Sequence, residues 1–432
     1  MKHRLLVAAG LAAALIGAAG CGGSEEKGTA ADAKGKTLNV WLMNDAESGW
    51  KATVDSATAA VKAKYPGLEV KVSYQTWGDH LTKLDAALAG NDVPDVKELG
   101  NTEVVKYAAA GALADLTDKK GDFENSDAWL KGLEESCTFD GKLWCVPYYA
   151  GSRAVAYNKD LAAAAGVTAV PTSYADFTAA NDKLMAKYGK DKQFSAFFMP
   201  GQYWYAAMSF VYDQGGSIAK QEGGQWVGNL ESPESVAGLT AWKALVDKYS
   251  RADKRGNEEK QAQVFAAQKA AMAMMLGWEA GGVTDPKTGN PKLEGKIGFF
   301  ALPSAKTAGE AMPVFLGGSD LAIPAKSKNQ EYARAWINAF TNTKAETDFA
   351  KAQAIPNTTT LQDLTKGDEK FAALAQGVAK GGWFVPNAPG WATVEQQKVL
   401  QNFLVSIAQG GDIATEAKKV DETIATALNQ KS

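Results

Sequence analysis

Apolar positions along the chain fall into short runs whose period switches from two to about 3.6 and back, the mark of alternating strands and helices. Leu38–Leu42 (LNVWL) predicts a strand. Val54, Ala57, Ala60 and Val61 lie at helical spacing within Thr53–Tyr65, and Pro66-Gly67 predicts the stop. Leu68–Tyr74 (LEVKVSY) alternates strictly and predicts a second strand. A helix capped by Asp79 and carrying Leu81, Leu84 and Leu88 is expected to end at Gly90. Pro94-Asp95-Val96 opens a third strand, and a helix from about Glu103 stops at Gly111. Strands and helices alternating through short joints predict βαβ units on a parallel sheet, an α/β fold. Ligands of such sheets sit beyond the carboxyl ends of the strands. The segments Asn44–Glu47, Gln75–Asp79 and Glu98–Glu103 are therefore the first places to look for a site.

Farther along, Val155–Lys159 predicts another strand, and helices are expected around 174–188 and 232–250. A helix through Gln261–Ala271 is expected to lead into Ala273–Leu276. Lys296–Leu302 and Val314–Ile323 read as strands. The last hundred residues read as mostly helical, with a Gly/Pro-rich break at Gly381–Gly390. A chain of 432 residues is too long for one core and predicts two or more lobes. No repeat or interdomain linker separates them, so the lobes are expected to share the chain by crossing more than once.

The first residues carry an address. Lys2, His3 and Arg4 are followed by sixteen apolar or small residues, Leu5–Gly20, short of the roughly 20 that span a bilayer. Small residues at Ala18-Ala19-Gly20 suit cleavage of a leader over 1–20. A cysteine directly after them, Cys21, resembles the lipobox of bacterial lipoproteins, although Ala18 stands where leucine is usual. That resemblance implies an acylated Cys21 and contact with a membrane through lipid alone; a plain secretory leader with a free cysteine is the alternative. Residues 21–36 then read as a flexible tether. Without the leader, 44 bases face 49 acids, a net charge of −5 with both signs interspersed, which argues against nucleic acid as a partner.

Export into an oxidising compartment favours bridged cysteines. Cys137 and Cys145 flank an Asp140-Gly141 hairpin signal, and a three-residue turn centred on Gly141 would set them directly opposite. A structural disulfide is the expectation; a redox-active or metal-binding pair is the alternative. His80 is the one histidine outside the leader and reads as a solvated surface residue. So small an inventory of cysteine and histidine predicts no metal and no cofactor. Phosphate loops, nucleophile elbows, H-E-x-x-H and EF-hand loops are all missing from the sequence. A carboxylate pair for glycoside hydrolysis has candidates among 49 acids but no local signature.

Twelve tryptophans and thirteen tyrosines are the surplus. Trp41, Trp242 and Trp336 sit in periodic apolar runs and read as core. Trp77, the Tyr203-Trp204-Tyr205 run, Trp278, Trp383 and Trp391 instead stand beside glycine, proline or polar residues. Any one of them alone is as well explained by loop packing. As a set they suit stacking on the C–H faces of sugar rings, with nearby carboxylates and amides for the hydroxyls.

Several segments occur in a telling order: Leu84–Val96 (LDAALAGNDVPDV), Gly141–Asp160 (GKLWCVPYYAGSRAVAYNKD), Pro171–Phe177 (PTSYADF), Phe265–Gly277 (FAAQKAAMAMMLG) and Gly317–Asn329 (GGSDLAIPAKSKN). With the lipobox, this set resembles the family 1 extracellular solute-binding proteins of ABC importers, the group that includes maltose-binding protein. The alanine-rich composition and the lipobox resemble those of Gram-positive actinobacterial members, and the general look is similar to binding proteins for chitobiose or other short oligosaccharides. The resemblance implies the two-lobed periplasmic-binding-protein fold (type II-like), a monomer with a carbohydrate ligand, an ABC permease as partner and no catalysis of its own. It implies lobe 1 at 37–148 plus 310–356 and lobe 2 at 149–309 plus 357–432. Ligand contacts carried over by local match are Asn44, Asp45 and Glu47, then Trp77, then Asn101 and Glu103. The second lobe would add Tyr203, Trp204, Tyr205, Trp278 and Glu279, and the closing segments Ser319, Asp320, Trp383 and Trp391. Two departures stand out: Cys145 where glycine is commoner, and Gly151-Ser152-Arg153 where maltose binders carry a glutamate, leaving Arg153 as a further contact. A secreted glycoside hydrolase and a receptor for a peptide or other polar solute are the rival readings.

Overall fold

The computed structural model describes residues 33–90, 92–365, 367–378 and 382–430. The leader, Cys21 and most of the expected tether lie outside the described residues. The end of that tether does not hang free. Ala33 is fully buried against the first core, and the Lys36 N–H closes a turn onto the Ala33 carbonyl.

In chain order the strands are β1 (Thr37–Met43), β2 (Glu69–Gln75), β3 (Val96–Gly100), β4 (Thr138–Phe139), β5 (Lys142–Leu143), β6 (Cys145–Gly151), β7 (Arg153–Asn158), β8 (Ser195–Phe198), β9 (Ala219–Glu222), β10 (Gln225–Gly228), β11 (Ala270–Leu276), β12 (Ile297–Phe300), β13 (Gly317–Ala322) and β14 (Ile355–Pro356). Among the described residues they build two main sheets. The larger has the order β14-β6-β13-β3-β1-β2, with β1 parallel to both β2 and β3, and β13 antiparallel to β3 and β6. The smaller runs β12-β7-β11-β8, with β11 parallel to β8 and antiparallel to β7. β2 lies at an edge, and its alternation of exposed Glu69, Lys71 and Ser73 with half-buried Val70, Val72 and Tyr74 is the pattern of a strand covered on one face. β3, inside the sheet, is buried through Val96, Lys97, Glu98 and Leu99.

Each sheet has its own core. Leu38, Val40 and Leu42 pack with Val54, Val61, Trp336 and Phe340 from the helices Lys51–Lys64 and Gln330–Phe340. Around the second sheet, Phe177, Phe210, Trp242, Leu404 and Ile424 come from five helices into one cluster. The chain passes from the first sheet to the second at Ser152, between β6 and β7, returns between β12 and β13, and leaves again after β14. Met312, Val314 and Phe315 pack in the second core, and the chain rejoins the first sheet at Gly317.

Several local expectations need correction. The helix expected over Gln261–Ala271 ends at Ala266, because Gln268 takes the left-handed conformation (φ 56°) and Ala270 already begins β11. Asp79 does not cap the helix His80–Ala89 with its side chain; it accepts from the Thr76 hydroxyl and pairs with Lys83 one turn on. The hairpin turn has two residues, not three: Asp140 and Gly141 both have positive φ, as a type I′ turn requires. Thr138 then faces Leu143, and Trp144 bonds back to Cys137, so the cysteines are offset by one position. Their sulfurs still lie at bonding distance, with Cα atoms 5.0 Å apart. Trp41 is half-exposed on β1, while Trp242 and Trp336 are fully buried. His80 is buried, not solvated.

Candidate functional site

The carboxyl ends of β1, β2 and β3 converge on a cleft of about 270 Å³ between the two sheets. From the first lobe, Asp45, Trp77, Asn101, Thr102 and Glu103 line it. The lips of the antiparallel strands add Tyr149, Gly151, Gly318 and Ser319. From the second lobe come Arg153, Tyr205, Glu258, Trp278 and Glu395, with Phe315 from the returning chain.

Neighbouring groups fix each wall. The Trp77 indole donates to the Asp45 carboxylate at 2.6 Å and stays 41% exposed. Behind it, His80 packs edge-on to Trp77 and pairs with Glu103 at 3.1 Å. Glu103 also accepts the Gly100 N–H at 2.7 Å, locking the loop after β3. Asn101 ties this loop to the return strand: its side chain donates to the Leu316 carbonyl, and its N–H bonds the Gly318 carbonyl. Beneath, Glu98 and Lys97 are both buried in β3; burial lifts the carboxyl and depresses the ammonium. Glu98 accepts the Met43 N–H at 2.8 Å.

On the opposite wall, Trp278 leads out of β11, half-exposed and edge-on to Tyr149 at 5.7 Å between ring centres. It fits because residue 151 is glycine: a Cβ there would lie 2.8 Å from the indole. Tyr205 stacks against Phe315 at 5.1 Å. Glu395, on the helix Trp391–Gln396, accepts the Thr102 hydroxyl through both carboxylate oxygens, at 3.0 and 3.1 Å, and so joins the lobes across the cleft. Burial, reinforced by Glu103, pushes its carboxyl up to about 8. Burial also raises Glu258.

The candidates named from sequence therefore separate. Asp45, Trp77, Asn101, Glu103, Tyr205, Trp278 and Ser319 come together in the cleft wall. Asn44 and Glu47 do not; Asn44–Gly49 is a helix, whose turn carries both residues to exposed positions away from Asp45. Tyr203 and Trp204 are buried, Tyr203 bonding to Arg153 and Trp204 beginning the helix Trp204–Asp213 within the second core. Glu279 serves its own chain, accepting the Leu276 N–H and the Gln261 amide. Asp320 is fully buried, accepts from Ser136 and is raised well above the ordinary carboxyl range by burial. Trp383 stacks on Tyr212 at 4.9 Å and donates to Ser209, and Trp391 is buried beside Trp204; neither lines the cleft.

Tyr149, Thr102, Glu258, Phe315 and Glu395 line the cleft and stand outside the sequence-based set. Glu395 had one readable signal, its place one helical turn beyond Trp391; Phe315 reads only as a strand residue. Among the described residues, the one compact group of potential metal ligands is Cys137, Cys145 and Asp320, away from the cleft wall. No helix of the described residues is long and apolar enough to cross a membrane.

Comparison with known proteins places this geometry. The chain is 35% identical over 431 residues to the diacetylchitobiose binding protein DasA of Streptomyces coelicolor, covering 98% of this chain and 97% of that one. It is 24% identical over 409 residues to the multiple sugar-binding protein of Streptococcus mutans. Among solved structures, the GacH receptor of Streptomyces glaucescens superposes with a TM-score of 0.77 at 21% identity, over 92% of this chain and 99% of that one. Maltose-bound MalE3 of T. maritima gives 0.74 at 20% identity, over 90% and 100%. The bacterial extracellular solute-binding protein model matches residues 47–347, and the chain belongs to that family.

Proposed function

We propose that this protein is the sugar receptor of an ABC importer, binding a di- or oligosaccharide of the chitobiose type and handing it unaltered to a membrane permease. The observation that carries the reading is the composition of the cleft: half-exposed indoles from both lobes, Trp77 and Trp278, with the carboxylates of Asp45, Glu103, Glu258 and Glu395 around them. Indole faces complement the C–H faces of a pyranose, and carboxylates accept from its hydroxyls. The names of DasA and the multiple sugar-binding protein support the ligand class. A ligand touching both walls favours the closed arrangement over the open one by its contacts to both lobes. The working lobes follow the chain crossings, so the joins expected at 148/149 and 309/310 move to Ser152 and Gly317, with the third left near 356/357, and the receptor acts as a monomer. Cys21 carries the lipid that holds it to the outer face of the membrane, and Cys137–Cys145 is bridged after export.

The test is titration of intrinsic tryptophan fluorescence with mono-, di- and trisaccharides, beside mass spectrometry of ligand carried through purification. A saturable response to a β-linked disaccharide, recovered intact, is expected. Silence toward every sugar, with a peptide or other solute recovered instead, overturns the proposal; shortened sugars in the recovered ligand would mark a hydrolase.

A further inference from the structure

Arg153 is the first residue of β7, at the crossing between lobes, and its guanidinium forms part of the cleft wall while only 6% exposed. It is held from two sides. Nε donates to the Tyr203 hydroxyl at 2.9 Å, and the guanidinium carbon lies 4.4 Å from the centre of the Tyr205 ring. Burial works against its charge, and Tyr203, Tyr205, Glu279 and Glu258 outweigh it, so the group is held protonated. Yet Nη1 is buried with no hydrogen-bond partner. A buried, charged donor left unpaired is costly, and in native proteins such a group has a reason.

The rest of the cleft says what would satisfy it. Among the described residues that line it, Arg153 is the sole cation, facing Asp45, Glu103, Glu258 and Glu395. Those carboxylates serve ligand hydroxyls, which donate. A ligand group that only accepts finds no match in the ionised acids and needs a donor such as Nη1; Glu395, neutral by burial, is engaged with Thr102. An anionic acceptor would meet the repulsion of Asp45 and Glu103. Among the neutral acceptors a sugar can carry, an amide carbonyl is the strongest, ahead of ether and hydroxyl oxygens.

We infer that Arg153 is the specificity-determining residue of this receptor, its Nη1 donating to the carbonyl oxygen of an N-acetyl group on the bound sugar. Tyr203 and Tyr205 are its positioning residues. The inference rests on the sugar-receptor reading and refines it: the cleft selects 2-acetamido sugars over sugars with hydroxyl or free amine at the same position.

Three β-1,4-linked disaccharides separate the possibilities: N,N′-diacetylchitobiose, its fully deacetylated form, and cellobiose. Calorimetric titration of wild type, Arg153→Lys and Arg153→Gln, with melting curves for each, gives the comparison. Wild type is expected to bind the diacetylated sugar at least tenfold more tightly than the other two. Arg153→Gln is expected to lose tenfold or more for the diacetylated sugar and under threefold for cellobiose, erasing the preference; Arg153→Lys, with one donor but no planar fork, should fall between. Equal losses for all three sugars overturn the inference and make Arg153 a packing residue only. An unchanged preference in Arg153→Gln overturns it too, leaving a water as the partner of Nη1. Failure of wild type to bind any of the three overturns this inference and the chitobiose-type ligand, whereas the sugar-receptor reading falls only with silence toward the whole panel of sugars.

Discussion

Trp278 and Trp383 each follow glycine, and nothing adjacent to either in sequence separates them. Trp278 stands half-exposed in the cleft, and Trp383 is stacked inside the second core. Trp278→Ala should weaken sugar binding tenfold or more, in line with about 1.5–3 kcal/mol for a large apolar face, while leaving the melting temperature nearly unchanged. Trp383→Ala should instead destabilise by about 3–5 kcal/mol, measured by urea unfolding, and affect affinity only through that loss. If the two variants behave alike in both assays, the division of the tryptophans drawn here is wrong. Asp320 makes the same point for polar groups. Its carboxyl is buried against Ser136, so Asp320→Asn should keep ligand affinity within twofold, a result calorimetry can check. What sequence could not tell at this scale is which neighbour a side chain meets across the fold. Asp45 and Trp77 were legible because strand ends place them; Phe315 and Glu258 owe their positions to distant packing.

Among the elements, strand order and helix periodicity in the first hundred residues were readable because each run has one dominant period and a glycine or proline stop. Reading faltered where a special backbone conformation or a chain crossing intervened, as at Gln268 and in the helix Trp204–Asp213 that carries Tyr205 into the cleft. The helix Trp391–Gln396 shows how an element positions chemistry. Gly390 precedes it because a Cβ there would come within 1.9 Å of the Ala427 carbonyl on the terminal helix Ile413–Leu428. Gly390→Ala should therefore cost more than about 2 kcal/mol and weaken binding as well, since Glu395 rides on the displaced helix. Its proposed counterpart in the hairpin is the Cys137–Cys145 bridge. Replacing Cys137 and Cys145 with serine should cost about 2–4 kcal/mol in denaturant titration, since the unfolded chain regains the freedom of the loop. A melting curve unmoved by reductant would contradict the bridge.

Across the whole molecule, the lobes meet through Thr102 and Glu395. Burial holds that carboxyl neutral up to about 8, against about 4.3 in an unfolded chain. A group raised in this way contributes fully below pH about 4, and the contribution is lost as pH climbs through 8. Wild type should thus lose melting temperature relative to Glu395→Gln as pH rises from 5 to 8; a constant difference between them contradicts the assignment. The order of strands has a separate consequence, for the history of each copy before it reaches its place of work. β13 lies between β6 and β3, so the first sheet stays split until residue 322 has arrived, and the second core waits for the terminal helix. Neither half can settle early from an emerging N-terminus. On the proposed export through a membrane as a loose strand, that interleaving would act as a timer: the polypeptide would remain slack during passage and set only after nearly all of it had emerged.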